Sequence, residues 1–379
     1  MFYFLPYALN LIGLGLLAIF YQQVEDKKKK MITLFCFIYV LLFFGFRGYI
    51  WDDWQVYYQI FKDISWYDFQ INPFKGGNDH FYEPGYVLMN LFIKSIYDNY
   101  VFFQFTQTSI CALLLFRFIM KKELNTPFFL MLFLAFGGYE ILINLMRNSI
   151  AILIFLNAIP YLEERKPVHY FMLCLLAVTF HLTSILFLPL YFILDVKINK
   201  WVFLSVFLAG LAFFILHISL LTPLISLVLG GSDSRMEIMA EQYSKIDEAK
   251  TLSIGLLERI LTGTLMFCYY DKLQEKSEKE HIYINAVMLY FACVFFLNEL
   301  AVVSQRLGML LMFGYWIVWY QLLTIFHYRN NRILFGIFIC LYCFLKTIGM
   351  CNYPRCSYDN HIWGADTYQE RRRLWGKNQ

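Results

Sequence analysis

The chain has 379 residues, of which 59% are hydrophobic and 16% charged, with 40 Phe, 28 Tyr and a formal net charge of +4. Soluble domains run near 45–50% apolar and about 25% charged, so a cytosolic globular enzyme, a disordered chain and a secreted disulfide scaffold are excluded. A net charge this small leaves no footprint for nucleic acid, and the mean hydropathy of +0.52 points to an all-α, polytopic integral membrane protein.

A spanning helix needs about 20 mostly apolar residues, or fewer if it is broken. In chain order the predicted segments are 1–21, 31–47, 101–120, 127–143, 148–162, 168–194, 201–221, 256–270, 282–298, 307–326 and 333–350. They come to about 10–12 membrane segments, because 168–194 is too long for one simple span. His181 in its middle and Pro189 beyond predict a hairpin of two short helices there. Residues 1–21 lack a basic leader and a small-residue cleavage site, so they read as a first span rather than a signal peptide. No repeat of 20–50 residues recurs. The whole of 1–379 is therefore expected to be one transmembrane domain.

Lys and Arg in short loops mark the cytoplasmic side. Lys27–Lys30, Lys121–Lys122, Arg165–Lys166, Lys197 with Lys200, the loop 271–281 and Arg329 with Arg332 are placed inside by that rule. The region 48–100 and the loop 222–255 then fall outside. Residues 84–100 hold Lys94, Asp98 and Asn99 and read as a re-entrant helix, while 222–255 reads as a lid. The tail after 350 is drawn inward by Arg371–Arg373 and outward by the span count. Most cysteines sit in apolar runs as small hydrophobes. Cys340 and Cys343 lack the companion ligands that zinc needs, and Cys351 and Cys356 are expected as free thiols.

The outer loop 48–83 carries Asp52, Asp53, Asp63, Asp68, Asp79 and Glu83 beside Trp51, Trp54, Trp66 and several Tyr. Carboxylates bond sugar hydroxyls and ring faces stack on sugar C–H patches; an interfacial aromatic belt with solvated acids has the same composition. Ionisable groups within apolar spans cost at least a few kcal/mol unless paired or hydrated, which makes them candidates for a functional cavity. Five groups qualify: Arg47 with Asp52, Asp53, Trp54 and Tyr57; Glu83-Pro84-Gly85-Tyr86; Asn144 with Arg147 and Asn148; Phe180-His181; and Glu299 with Gln305-Arg306. Guanidinium forks match phosphate oxygens, so Arg47, Arg147 and Arg306 need either the nearby carboxylates or a lipid phosphate. An imidazole titrating near pH 6.5 is suited to take a proton from a hydroxyl, although a buried histidine also serves as a helix break or a core hydrogen-bonding group.

Taken in order, these patterns resemble the EpsG-type branch of the Wzy-like polysaccharide polymerases. The family pattern runs Arg, Gly-Thr-Asp-aromatic-x-x-Tyr, Glu-x-Gly-Tyr, Asn-x-x-Arg-Gln-x-x-Ala, Phe-His-x-Ser/Thr and a late Arg. Here it reads as Arg47, Asp53-Trp54-Gln55-Val56-Tyr57, Glu83-Pro84-Gly85-Tyr86, Asn144 through Ala151, Phe180-His181-Leu182-Thr183 and Arg306. Trp51-Asp52 replaces the usual Gly-Thr, and Asn148 replaces the common Gln.

The resemblance implies a glycosyltransferase of the bacterial cytoplasmic (inner) membrane. It would join undecaprenyl-pyrophosphate-linked oligosaccharide repeats by direct, inverting displacement, with no metal or other cofactor. His181, Asp53 and Glu83 would be catalytic, and Arg47, Arg147 and Arg306 would bind pyrophosphate. Trp54, Tyr57, Tyr86, Asn144 and Asn148 would bind sugar. Partners would be the lipid-linked glycan, membrane lipid, a chain-length regulator and a flippase. An O-antigen ligase, a lipid-linked oligosaccharide flippase or other transporter, and a surface-sugar acyltransferase are the competing classes.

Overall fold

The computed structural model describes residues 2–76, 78–218, 253–298 and 301–376. Residues 222–252 of the expected lid 222–255, and Glu299, lie outside the described residues. The fold is that of an all-α polytopic membrane protein. Among the described residues, Tyr100–Lys121, Thr126–Ile143, Val303–Ile325 and Arg329–Cys351 are long and apolar enough to cross a bilayer. Five shorter apolar helices accompany them, at Leu5–Tyr21, Pro167–Phe180, Leu182–Ile193, Lys200–Ile215 and His281–Phe296.

Two compact units divide the chain, one formed by 1–191 with 329–379 and the other by 192–328. The first begins with α1 (Leu5–Tyr21) and α2 (Asp26–Val40), the latter prolonged by a π turn at Leu41–Gly45. Short helices α3 (Trp54–Asp63) and α4 (Trp66–Ile71) follow, then a small antiparallel ribbon of Lys75–Gly76 with Asn78–Phe81. Helix α5 (Pro84–Ile96) has 13 residues. At 1.5 Å per residue it is about 20 Å long, short of a hydrocarbon core of about 30 Å.

Helix α6 (Tyr100–Lys121) is capped by Asn99, whose side chain accepts from the N–H groups of Val101 and Phe102. Next come α7 (Thr126–Phe133), α8 (Tyr139–Ile143), α9 (Met146–Glu163), α10 (Pro167–Phe180) and α11 (Phe187–Ile193). Lys121 and Lys122 at the end of α6 pair with Glu164 and Glu163 after α9, at 3.5 and 2.7 Å, so these two basic turns share one face. The predicted hairpin within 168–194 is present, and its break falls at His181, where the backbone turns extended (φ −155°, ψ 121°).

The second unit holds α12 (Lys200–Ile215), α13 (Ile254–Cys268), α14 (Tyr270–Gln274), α15 (His281–Phe296) and α16 (Ala301–Ile325). The chain re-enters the first unit with α17 (Arg329–Cys351), which packs on α1, and ends in α18 (Tyr368–Gly376). All nine cysteines are free thiols.

The tail after α17 lies against the turn that follows Arg47. Trp51 N–H donates to Arg355 O at 2.8 Å, Gly48 N–H to Asp359 O at 3.0 Å and His361 N–H to Phe46 O at 2.8 Å. The tail and the turn 47–53 therefore share one face of the unit. Arg371 makes that possible despite its charge: Nε donates to Tyr49 O at 2.6 Å, and the fork reaches Ser357 O, Asp359 and Asp366.

Arg47 stitches the helix breaks of the first unit. It is 3% exposed, and Nη1 donates to Phe44 O at 2.5 Å and to Thr108 Oγ1 at 3.2 Å. Nη2 donates to Ile143 O at 3.3 Å, a carbonyl near the end of α8, just before the chain breaks. Buried carbonyls without donors are costly, so one guanidinium satisfies groups from α2 and α8 together. Arg47→Ala should destabilise the protein by about 1.5–3 kcal/mol, the range for hydrogen bonds of a charged group. The expected reading is a lower melting temperature in detergent, at an expression level still sufficient to measure it.

Candidate active site

The site is built around one carboxylate. Glu83 stands just before α5, where Pro84 occupies the first helical position with its φ already set and no N–H to satisfy. Glu83 Oε2 accepts from Arg147 Nη1 at 2.8 Å. Its Oε1 lies 3.0 Å from His181 Nδ1 and accepts from the Leu182 N–H at 2.9 Å. Three helix ends thus meet on a side chain only 4% exposed.

Each end is broken by the residues the pattern requires. Gly85 lies so close to α10 that a Cβ there would meet Thr179 Oγ1 and sit 2.8 Å from Thr179 O. Only glycine lets α5 approach α10 near enough for Glu83 to reach His181. The extended backbone at His181 frees the Leu182 N–H, and Glu83 takes it. Between α8 and α9 the chain leaves helical geometry at Leu145, so Asn144 and Arg147 point to different partners. Asn144 Oδ1 accepts from the N–H groups of Asp52 and Asp53, at 3.3 and 2.9 Å, and shapes the turn leading into α3.

Arg147 is partly buried, with its guanidinium 5.3 Å from the centre of the Tyr82 ring. Tyr57 and Tyr86 add their hydroxyls to its surroundings. Its Nε is buried without a hydrogen-bond partner, as are the Tyr86 hydroxyl and Asn148 Oδ1. The fork therefore gives one nitrogen to Glu83 and has Tyr57 beside it.

Burial by itself would raise the Glu83 carboxyl. The hydrogen bonds from His181 and Leu182, together with the Arg147 charge, outweigh burial and hold it down at about 2. A carboxylate depressed below its unfolded value contributes stability that is fully present above about pH 4.5 and is lost as pH falls toward 2. With Glu83 ionised, a proton on His181 Nδ1 is the favoured tautomer, and the Nε2 lone pair is left to accept.

Trp54, Tyr57 and Tyr86 are buried in an aromatic core with Tyr49, Phe61, Tyr100 and Phe103. The Trp54 ring meets Tyr49 and Tyr368, and Tyr57 meets Tyr86 at 6.1 Å. Asn148 is 7% exposed on α9. Arg306 is exposed on α16, in the second unit. Two features escaped sequence reasoning. Arg355 reaches Asp52 at 2.7 Å from the tail. Trp51 sits at φ +69°, the left-handed region where a bulky side chain costs about 1–3 kcal/mol.

Broken apolar helices, some of which end on a partly buried Arg–Glu–His cluster, define a multi-pass membrane protein. The chain belongs to the EpsG family, which it matches over residues 29–360, and is thereby a polysaccharide-polymerase-type, glycosyltransferase-like membrane protein. No curated protein and no solved structure matches it significantly.

Two measurements follow from this geometry. Gly85→Ala should force α5 and α10 apart and separate Glu83 from His181. Polymer formed in membranes should then fall by about tenfold or more, while the protein is still inserted at near wild-type level. The melting-temperature gap between wild type and Glu83→Gln should close as pH falls from about 4.5 toward 2, and a gap that persists through that range would overturn the lowered Glu83 carboxyl.

Proposed function

We propose that this protein is a polysaccharide polymerase joining undecaprenyl-pyrophosphate-linked oligosaccharide repeats at the outer face of the bacterial cytoplasmic membrane. The observation that carries this reading is the single Glu83 carboxylate bonded to His181 on one oxygen and to Arg147 on the other. A proton acceptor and an anion-binding fork are thereby held in one constellation.

In the proposed reaction, His181 Nε2 takes the proton of the acceptor hydroxyl while Nδ1–H donates to Glu83. The acceptor oxygen forms a bond to the anomeric carbon of the donor as the bond from that carbon to the pyrophosphate oxygen breaks. The electron pair moves onto the pyrophosphate, whose charge Arg147 stabilises, and undecaprenyl pyrophosphate leaves. The polymer gains one repeat with inversion at the anomeric carbon. Glu83 acts through His181 and Arg147, so it is a positioning residue and not a nucleophile. Both of its oxygens already carry hydrogen bonds, which supports that division of labour.

Asp53 is assigned to the acceptor sugar, because Asn144 fixes its backbone and Tyr57 links it electrostatically to Arg147. Arg47 is assigned to the scaffold, since carbonyls and a threonine hydroxyl occupy its fork. Arg306 keeps its assignment to pyrophosphate through its sequence pattern. Trp54, Tyr57 and Tyr86 are assigned to shaping the site from behind, because other rings pack against theirs.

A general base contributes about 10²–10⁴-fold. His181→Gln should therefore reduce polymer formation from purified lipid-linked repeats by that factor, with protein level retained and single lipid-linked repeats accumulating. Arg147→Lys should fail to restore activity, because a point charge cannot keep Glu83 and bind a phosphate oxygen together. Wild-type turnover by either variant would remove that residue from the reaction.

A further inference from the structure

We propose that the C-terminal tail, residues 353–376, is the positioning element that holds the turn 47–53, and with it Asp53, in working shape, and that Arg371 fixes the tail to that turn. The inference rests on the reading that Asp53 meets the acceptor sugar. Its physical basis is the backbone of the turn. Trp51 occupies a conformation that an L-residue with a bulky side chain adopts only when its surroundings enforce it. Asn144 holds the N–H groups of Asp52 and Asp53 from one side. Among the described residues, the other polar contacts that pin residues 47–52 to a distant segment, apart from those of Arg47, Gln104 and Tyr7, come from the tail.

Those contacts fall residue by residue on the turn. Arg47 is bridged to Asn360, Gly48 N–H donates to Asp359 O, and Trp51 N–H donates to Arg355 O. The Arg355 side chain reaches Asp52 Oδ2, and Arg371 Nε reaches Tyr49 O. Gly48 has no room for a Cβ, which would run into the Asp359 carboxylate. Arg371 is 8% exposed and joins the turn to the tail's own loop through Ser357 O, Asp359 and Asp366. Tyr368 stacks on Tyr58 of α3 at 4.1 Å, and its hydroxyl accepts from Gln59 Nε2 at 3.1 Å, so α18 also grips the helix that Asp53 precedes.

The pattern that the chain resembles has glycine where Trp51 stands. A glycine would hold the left-handed turn without help. A tryptophan needs the clamp.

The test is a double-mutant cycle of Arg371→Ala and Trp51→Gly in the full-length protein, read in two ways. Hydrogen exchange of the peptide spanning 46–58 reports the turn without reference to activity. Polymer formation from purified lipid-linked repeats, with acceptor concentration varied, reports the site. Arg371→Ala should speed exchange in that peptide and raise KM for the acceptor by about tenfold, with kcat changed less. In the Trp51→Gly background the same substitution should change KM by less than about twofold, because the turn no longer needs enforcement. Arg371→Lys keeps the charge but cannot serve its acceptors with one fork, and stands in if the alanine variant is not recovered.

Unchanged exchange in either Arg371 variant overturns the proposal, and so does an equal KM effect in both backgrounds. Asp53→Asn separates the two readings. Full activity of that variant would remove Asp53 from the acceptor site, while the exchange data would still decide whether the tail holds the turn.

Discussion

A buried carboxylate has to be satisfied, and in this protein that requirement organises the site. Glu83 has almost no solvent contact, and it is answered by Arg147, His181 and the Leu182 N–H. These partners come from the start of α9 and from the break after α10, neither of which is near Glu83 in sequence. Removing the charge would leave a guanidinium and a backbone donor without partners in an apolar setting, which is why such pairs are costly to break. The approach of α5 to α10 at Gly85 is the geometric condition for the cluster, and the extended backbone at His181 is its counterpart on the other side.

Arg47 and Arg147 show how far local structure decides the role of one residue type. Both stand at helix breaks of the same unit, and sequence position alone gives them the same expected task. Arg47 follows a π turn and faces the carbonyls of Phe44 and Ile143, so its fork is consumed by backbone. Arg147 opens a helix instead, and the donors of a helix start cannot satisfy a cation. It turns to Glu83 and the tyrosines, and one of its nitrogens stays unsatisfied. A charge spent on carbonyls builds the scaffold, whereas a charge paired with a carboxylate joins the candidate site.

Much of this was legible in the sequence. Hydropathy marked the spans, and the residues that interrupt them, Glu83, Asn144, Arg147 and His181, are those that converge or brace the turn beside the cluster. The break within 168–194 was readable because that run is too long for one simple span and carries His181 in its middle and Pro189 beyond. Partner identity was not readable. Whether an arginine meets a carbonyl or a carboxylate depends on contacts such as Arg47 with Ile143, 96 residues apart. Composition cannot tell a buried ring from an exposed one, so the packing of Trp54, Tyr57 and Tyr86 in one aromatic core was not readable. The contribution of the tail was hidden for the same reason: Arg371 and Tyr49 are 322 residues apart and carry no pattern that relates them.

The membrane supplies the constraint that ties scaffold and site together. Wherever a helix breaks in an apolar setting, the freed N–H and C=O groups need partners from the protein itself. In this unit the side chains that answer the breaks are largely the side chains with chemistry to offer. Asn144 answers the turn at Asp52–Asp53, Glu83 answers the one after His181, and Arg47 answers those after Phe44 and Ile143. A break therefore does two things at once: it admits polar groups to a depth where they would otherwise be excluded, and it locks them in place through the backbone they satisfy. That coupling accounts for a site whose polar residues are short motifs widely separated in sequence, each placed where a helix ends. It also makes the site intolerant of sliding along a helix. Moving any of these residues by one position would lose the side chain from the cluster and leave an unsatisfied backbone group behind.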